Sequence, residues 1–139
     1  MKKHTTNYTD TFILVAEDCP VSAAEVPPLK GTEKTVAALQ FEMIEQHPYE
    51  YTSDDVIFGV YARRNDIRDT ELNSEREKFF SKGQPCLRSS PLGKRYGWGV
   101  HSNAEGKVAV YPVESEEYKR LASDKKLKIT RAMNSARKK

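Results

Sequence analysis

Two runs rich in β-forming residues, 95–101 and 107–113, are separated by Ser102-Asn103-Ala104-Glu105-Gly106, and this pairing constrains the fold more than any other feature of the chain. A five-residue connection with Asn early and Gly last suits a β-hairpin, because Gly readily takes the left-handed conformation that returns the chain to a strand. The chain therefore contains antiparallel sheet. Side chains alternate along a strand, so Tyr96, Trp98 and Val100 share one face while Gly97, Gly99 and His101 share the other. The glycine face is bare and admits a close neighbour. A tightly packed helix is the simpler occupant, and a flat ligand is the alternative.

The rest of the chain supplies partners for that hairpin. Thr11-Phe12-Ile13-Leu14-Val15-Ala16 is short, apolar and rich in β-formers, which predicts a central strand covered on both faces. Thr32 is placed to cap a helix running to Gln46, where Val36, Leu39 and Met43 fall together and Ala37, Phe41 and Ile44 widen the apolar arc. Residues 56–62, entered through Asp54-Asp55, read as a second strand. Residues 63–82 are densely charged with mixed signs and predict a loop turning into a short helix over 74–80, anchored by Phe79 and Phe80. Ser115 with Glu116 and Glu117 starts another helix, with acidic side chains near the positive end of its dipole. In the last segment Ile129, Ala132, Met133 and Ala136 have helical spacing while Leu127 and Ile129 alternate, and helix is the reading preferred. These elements predict one α+β domain over 1–139: an antiparallel or mixed sheet of about four strands, with helices packed mainly on one face. Residues 1–10 read as a loose N-terminus and 123–139 as a basic C-terminal helix or tail.

Charge divides along the chain. From Lys119 onward nine basic residues stand against Asp124 alone, a net of +8, while residues 1–118 hold 14 basic and 19 acidic residues, a net of −5. Such a tail can meet nucleic acid or another acidic surface without sequence preference. A solvated chain end accounts for it more simply. The longest apolar run, 12–16, is far shorter than the roughly 20 residues that cross a bilayer, and no apolar signal core follows Lys2 and Lys3. With only Cys19 and Cys86, both compatible with reduced thiols, the expected location is the cytoplasm.

Chemistry-bearing residues concentrate between Gly83 and His101. Cys86, Ser89, Ser90, Arg88, Lys94 and Arg95 lie within a 13-residue stretch that also holds Gly83 and Gly93, a composition that can gather donors and positive charge around an anion. A Walker loop is excluded: Arg88 stands where its second Gly belongs, and Arg95 where Ser or Thr must follow Lys94. Cysteine-phosphatase spacing also fails, since Leu92 occupies the position of the Arg six residues after Cys86. The residues expected to bind an anionic ligand are Arg88, Ser89, Ser90, Lys94, Arg95, Gly97 and Gly99. Cys86 becomes a candidate nucleophile if His101 lies within reach as base and Arg88 favours the thiolate. Cys19, His47, Cys86 and His101 lack close metal-ligand spacing, and no metal or other cofactor is expected. Asp54 and Asp55 are adjacent and fit a turn or cap better than a shared proton.

The stretch from Gly83-Gln84-Pro85-Cys86-Leu87-Arg88-Ser89-Ser90-Pro91-Leu92 through Lys94-Arg95-Tyr96-Gly97-Trp98-Gly99-Val100-His101 resembles a family of small bacterial proteins of unknown function. His47-Pro48-Tyr49 and Thr52-Ser53-Asp54-Asp55 extend the likeness over nearly the whole chain. It implies a bacterial cytosolic protein and brings no catalytic residues with it. More distantly, a helix ending near His47-Pro48 followed by strands ending in Val108-Ala109-Val110-Tyr111-Pro112 is similar to frataxin-like iron chaperones, although Asp54, Asp55 and the scattered carboxylates form no dense acidic ridge. The expected function is a non-catalytic binding module for a small anionic ligand or a partner protein. The alternatives are a small enzyme using Cys86 with His101, and a nucleic-acid-associated protein acting through its basic tail. Oligomeric state has no signature in the sequence.

Overall fold

The computed structural model describes residues 4–28 and 34–134. Its centre is β1 (Thr11–Leu14), where Thr11, Phe12 and Ile13 are all buried, as the unbroken apolar run predicts. The hairpin strands β2 (Trp98–Ser102) and β3 (Val108–Pro112) lie on one side of β1, and β4 (Lys128–Arg131) lies on the other. The order is β3-β2-β1-β4, antiparallel except for the parallel β1–β4 pair, giving a four-stranded mixed sheet in an α+β fold. Gly106 closes the hairpin at φ 80, and the Asn103 side-chain oxygen accepts from the amides of Glu105 and Lys107, both at 2.9 Å.

Two helices lean on the face bearing Ile13, Val100 and Val108. These are α1 (Val36–Gln46), whose residue Ile44 joins that core, and α2 (Ser53–Arg64), whose residue Val56 does the same. Thr35, rather than Thr32, caps α1; Thr32 lies outside the described residues. Next come α3 (Leu72–Phe79) and the short α4 (Pro91–Lys94), while α5 (Glu116–Ala122) covers the opposite face. Helices are thus mainly, but not wholly, on one side. No helix among the described residues is long and apolar enough to cross a membrane.

Three sequence expectations change. Residues 56–62 belong to helix α2 instead of a strand. Thr52 accepts from the Asp55 amide at 3.1 Å while Asp55 accepts from the Thr52 amide at 3.0 Å, a reciprocal cap that commits the segment to helix. The helix is also wedged between two cores: Val56 faces the sheet, and Phe58 and Ala62 pack with Phe80. Burial on two sides makes Val56, Phe58, Val60 and Ala62 alternate with more exposed residues, which imitates strand periodicity.

Near the C-terminus, Lys128–Arg131 form a strand where helical spacing predicts a helix. Its backbone pairs with β1, and buried Ala132 packs so closely on Gly93 that a Cβ there would lie 2.9 Å from the Ala132 methyl. Where a basic helix or tail is expected over 123–139, the described residues form a turn and then β4. From His4 onward the N-terminal segment, expected to be loose, is held in place: Thr6 is buried, and the His4 amide donates to the Phe80 carbonyl at 2.9 Å.

Candidate functional site

Segment 84–91 lies against α1 and α2 and leaves a cleft of about 370 Å³ between them. Ser90 builds one wall. It caps α4 by accepting from the Leu92 amide at 3.1 Å, with Pro91 in the first helical turn, where a missing N–H costs nothing. Leu87 and Leu92 anchor the segment in the core, and Gln84 ties it to α3 by donating to the Phe79 carbonyl at 2.7 Å. Val36 of α1 and Ile57 and Val60 of α2 give the cleft an apolar body, with Phe79 and Pro85 completing it. Ile57, Val60, Tyr61 and Arg64 reach one side because positions three and four apart share a helix face.

Of the residues expected to carry chemistry, Cys86, Ser89 and Ser90 line this cleft. The Cys86 thiol meets the Tyr8 hydroxyl at 3.4 Å, and this contact, followed by burial, raises the Tyr8 pKa against the opposing pull of Arg88. The remaining residues lie elsewhere. Arg88 Nε donates to the Arg131 carbonyl at 2.8 Å. The Arg88 carbonyl accepts from the Met133 amide at 2.8 Å, so this residue covers the outer edge of β4. Such an edge otherwise offers unpaired backbone groups to another chain. Lys94 ends α4 and Arg95 is exposed just beyond it. Gly97, at φ 81, lies outside β2 against Val21 and Ala24. Gly99 is covered by the rings of Phe12 and Tyr118, which fill the bare face with a side chain from α5.

His101 and Cys86 sit on opposite sides of the sheet. His101 pairs in register with Phe12, which packs under α5, whereas Cys86 faces α1 and α2. Tyr49, at φ 60, brings its hydroxyl within 2.7 Å of both His101 Nδ1 and the Tyr111 hydroxyl. Burial lowers the His101 pKa, against the pull of Asp10 and Asp124, and raises that of Tyr49. Asp54 accepts from the Thr6 amide at 2.7 Å and from the hydroxyls of Thr5 and Thr6, and Asp55 pairs with Arg76 at 2.9 Å. Both carboxylates are thus structural. His47 pairs with Glu50 at 3.0 Å, and among the described residues no three His, Cys, Asp or Glu side chains converge as a metal site.

A larger groove of about 1180 Å³ runs between α1, α2 and α3. The ion pairs Lys34–Glu42 and Asp55–Arg76 and the His47–Glu50 hydrogen bond occupy its walls, so much of its polar surface is already engaged within the protein. The smaller cleft joins an apolar body to a few polar groups, the composition of a small-molecule site.

A family model described as a family of unknown function (DUF6157) matches residues 3–138. The chain belongs to that family. No curated protein and no solved structure matches it. In this DUF6157 member the residue that the sequence reading missed is Gln40, a polar side chain only 7% exposed at the cleft wall. One turn after Val36 and one before Ile44, it occupies a core position of α1, and that position was its signal. Arg64 and Tyr8 were missed as well, because both reach the region only through folding.

Proposed function

We propose that the protein is a non-catalytic binding module of the bacterial cytoplasm whose ligand is a small molecule held in the cleft between α1, α2 and segment 84–91. One observation carries this reading: an apolar cleft of about 370 Å³ has the hydrogen-bonded polar groups of Gln40 and Ser90 in its wall. Small-molecule sites run from about 300 to about 1000 Å³ and join an apolar lining to a few such groups. The nucleophile reading lacks comparable support, since the hydrogen-bond partner of Cys86 is Tyr8 and that of His101 is Tyr49.

The test is a fragment screen by ligand-observed NMR, repeated on Ile57→Phe, which adds a ring to the cleft wall. Hits on the native chain that weaken in this variant, while a variant at exposed Arg95 retains them, are the expected result. If no fragment binds below roughly millimolar concentration, or if hits ignore Ile57→Phe, the cleft is not the ligand site.

A further inference from the structure

The polar groups of the cleft differ in how far the protein itself uses them. The Cys86 thiol is engaged by Tyr8, the Ser89 hydroxyl by Met133 Sδ at 3.1 Å, the Gln84 amide by the Phe79 carbonyl and the Asn65 amide by the Tyr61 carbonyl at 2.8 Å. Gln40 is different. Ser90 Oγ accepts from the Leu92 amide and so turns its own proton to Gln40 Oε1, 2.6 Å away. In this arrangement Gln40 presents its oxygen to Ser90 and turns its NH₂ away from it. The Gln40 NH₂ is left without a hydrogen-bond partner among the described residues, on a residue only 7% exposed. A fully enclosed donor in that state would be costly. No side-chain nitrogen or oxygen in the described part of the protein is both fully enclosed and unpaired, so this NH₂ retains some access, and Gln40 is one of the residues that line the cleft.

Charge points the same way. No Asp or Glu lines the cleft, and its one charged residue, Arg64 at the rim, forms no ion pair among the described residues. The neighbouring groove, by contrast, carries five carboxylates. An apolar body, a pre-oriented N–H donor held by a second residue, and a single cation together match a molecule with a compact hydrocarbon part and an acidic acceptor head.

We infer that the cleft binds a small apolar carboxylic acid, whose carboxylate accepts from the Gln40 amide and whose charge is met by Arg64. This rests on the cleft being the ligand site. Hexanoate, hexanamide and 1-hexanol, which share a six-carbon body and differ in the head, separate the two claims when titrated into protein labelled with ¹⁵N in its glutamine side chains. Hexanoate is expected to bind tightest and to move the Gln40 NH₂ signals. Gln40→Glu keeps the acceptor for Ser90 but removes the donor and adds a repelling charge, which should weaken hexanoate by about tenfold or more. Gln40→Met serves where that variant fails to fold. Arg64→Gln should weaken hexanoate by about two- to fivefold, the scale of an exposed ion pair, and leave hexanamide unchanged. Equal binding of all three compounds, or hexanoate binding that survives loss of the Gln40 amide, overturns the acid-recognition claim while leaving the cleft standing. If none of the three binds while other fragments are displaced by Ile57→Phe, the acid is again the wrong class. If nothing binds there at all, both claims fall.

Discussion

The two faces of the sheet have met the same requirement, burying an apolar surface, in opposite ways. On the face under α5, Gly99 makes room for the edge of Tyr118 against Phe12, with ring centroids 5.1 Å apart and ring planes at 74°. Such edge-on pairs suit the aromatic quadrupole. The Tyr118 hydroxyl accepts from the Val15 amide at 2.9 Å, and beside it Tyr49, His101 and Tyr111 satisfy one another. The other face is covered by α1, α2 and α4, and there the packing stops short: a cleft remains, lined by Gln40, whose NH₂ is not fully enclosed and has no partner among the described residues. A filled face is read through stability, and an incompletely filled one through binding. Substitutions on the two faces should therefore separate these readouts.

The largest effect is expected at Gly99. A Cβ there would lie 2.6 Å from atoms of both Phe12 and Tyr118, closer than packed carbons approach, and neither ring can retreat without disturbing the core or the Val15 bond. Gly99→Ala should cost about 2–3 kcal/mol in urea denaturation, near the upper range for overpacking, and leave ligand affinity unchanged in the folded fraction. A cost under roughly 0.5 kcal/mol would show that this face has slack, and the contrast between the faces would fail.

Ser90→Ala is the counterpart on the cleft side. It removes the cap of α4 and the hydroxyl that orients Gln40. A loss of about 1–2 kcal/mol is expected, together with weaker ligand binding. Loss of stability with binding intact would mean that Gln40 needs no orienting partner.

What the sequence revealed followed the same division. The hairpin was legible because alternation, Asn103 and Gly106 act over a few residues, and the packing of a helix on Gly99 followed from missing side chains. The polar segment 83–95 was legible as unusual, yet of its singled-out residues only Cys86, Ser89 and Ser90 reach the cleft. Arg88 was expected to hold an anion and instead covers the edge of β4, a duty that depends on a strand far along the chain at Arg131. Helix α2 escaped because burial on two sides copies the period of a strand, although Thr52 and Asp55 carried the correct signal in their spacing. Gln40 and Arg64, on separate helices, share a wall only after α1 and α2 pack, and a lone polar residue in an apolar arc does not announce its neighbours.

The smallest effect lies again on the filled face, and it has a definite sign. Burial holds the His101 pKa below its usual value in the folded chain, outweighing Asp10 and Asp124, so the unfolded chain binds the proton more readily. Stability from this residue is therefore fully present above the unfolded pKa of about 6.5 and is lost as pH falls from there toward the lower folded value. His101 Nδ1 and the Tyr49 hydroxyl share a hydrogen bond of 2.7 Å whose direction is set by which ring nitrogen carries the proton. Protonation would place a donor there and force Tyr49 to turn its own proton to Tyr111, a rearrangement confined to three side chains. Denaturation of the native chain and of His101→Gln at pH 7.5 and pH 5.5 should show a steeper loss on acidification in the native chain, with hexanoate affinity at the cleft responding no differently between the two. Parallel loss in both would assign the acid sensitivity to other groups, and an affinity that follows His101 would mean that the two faces communicate through β1 and β2.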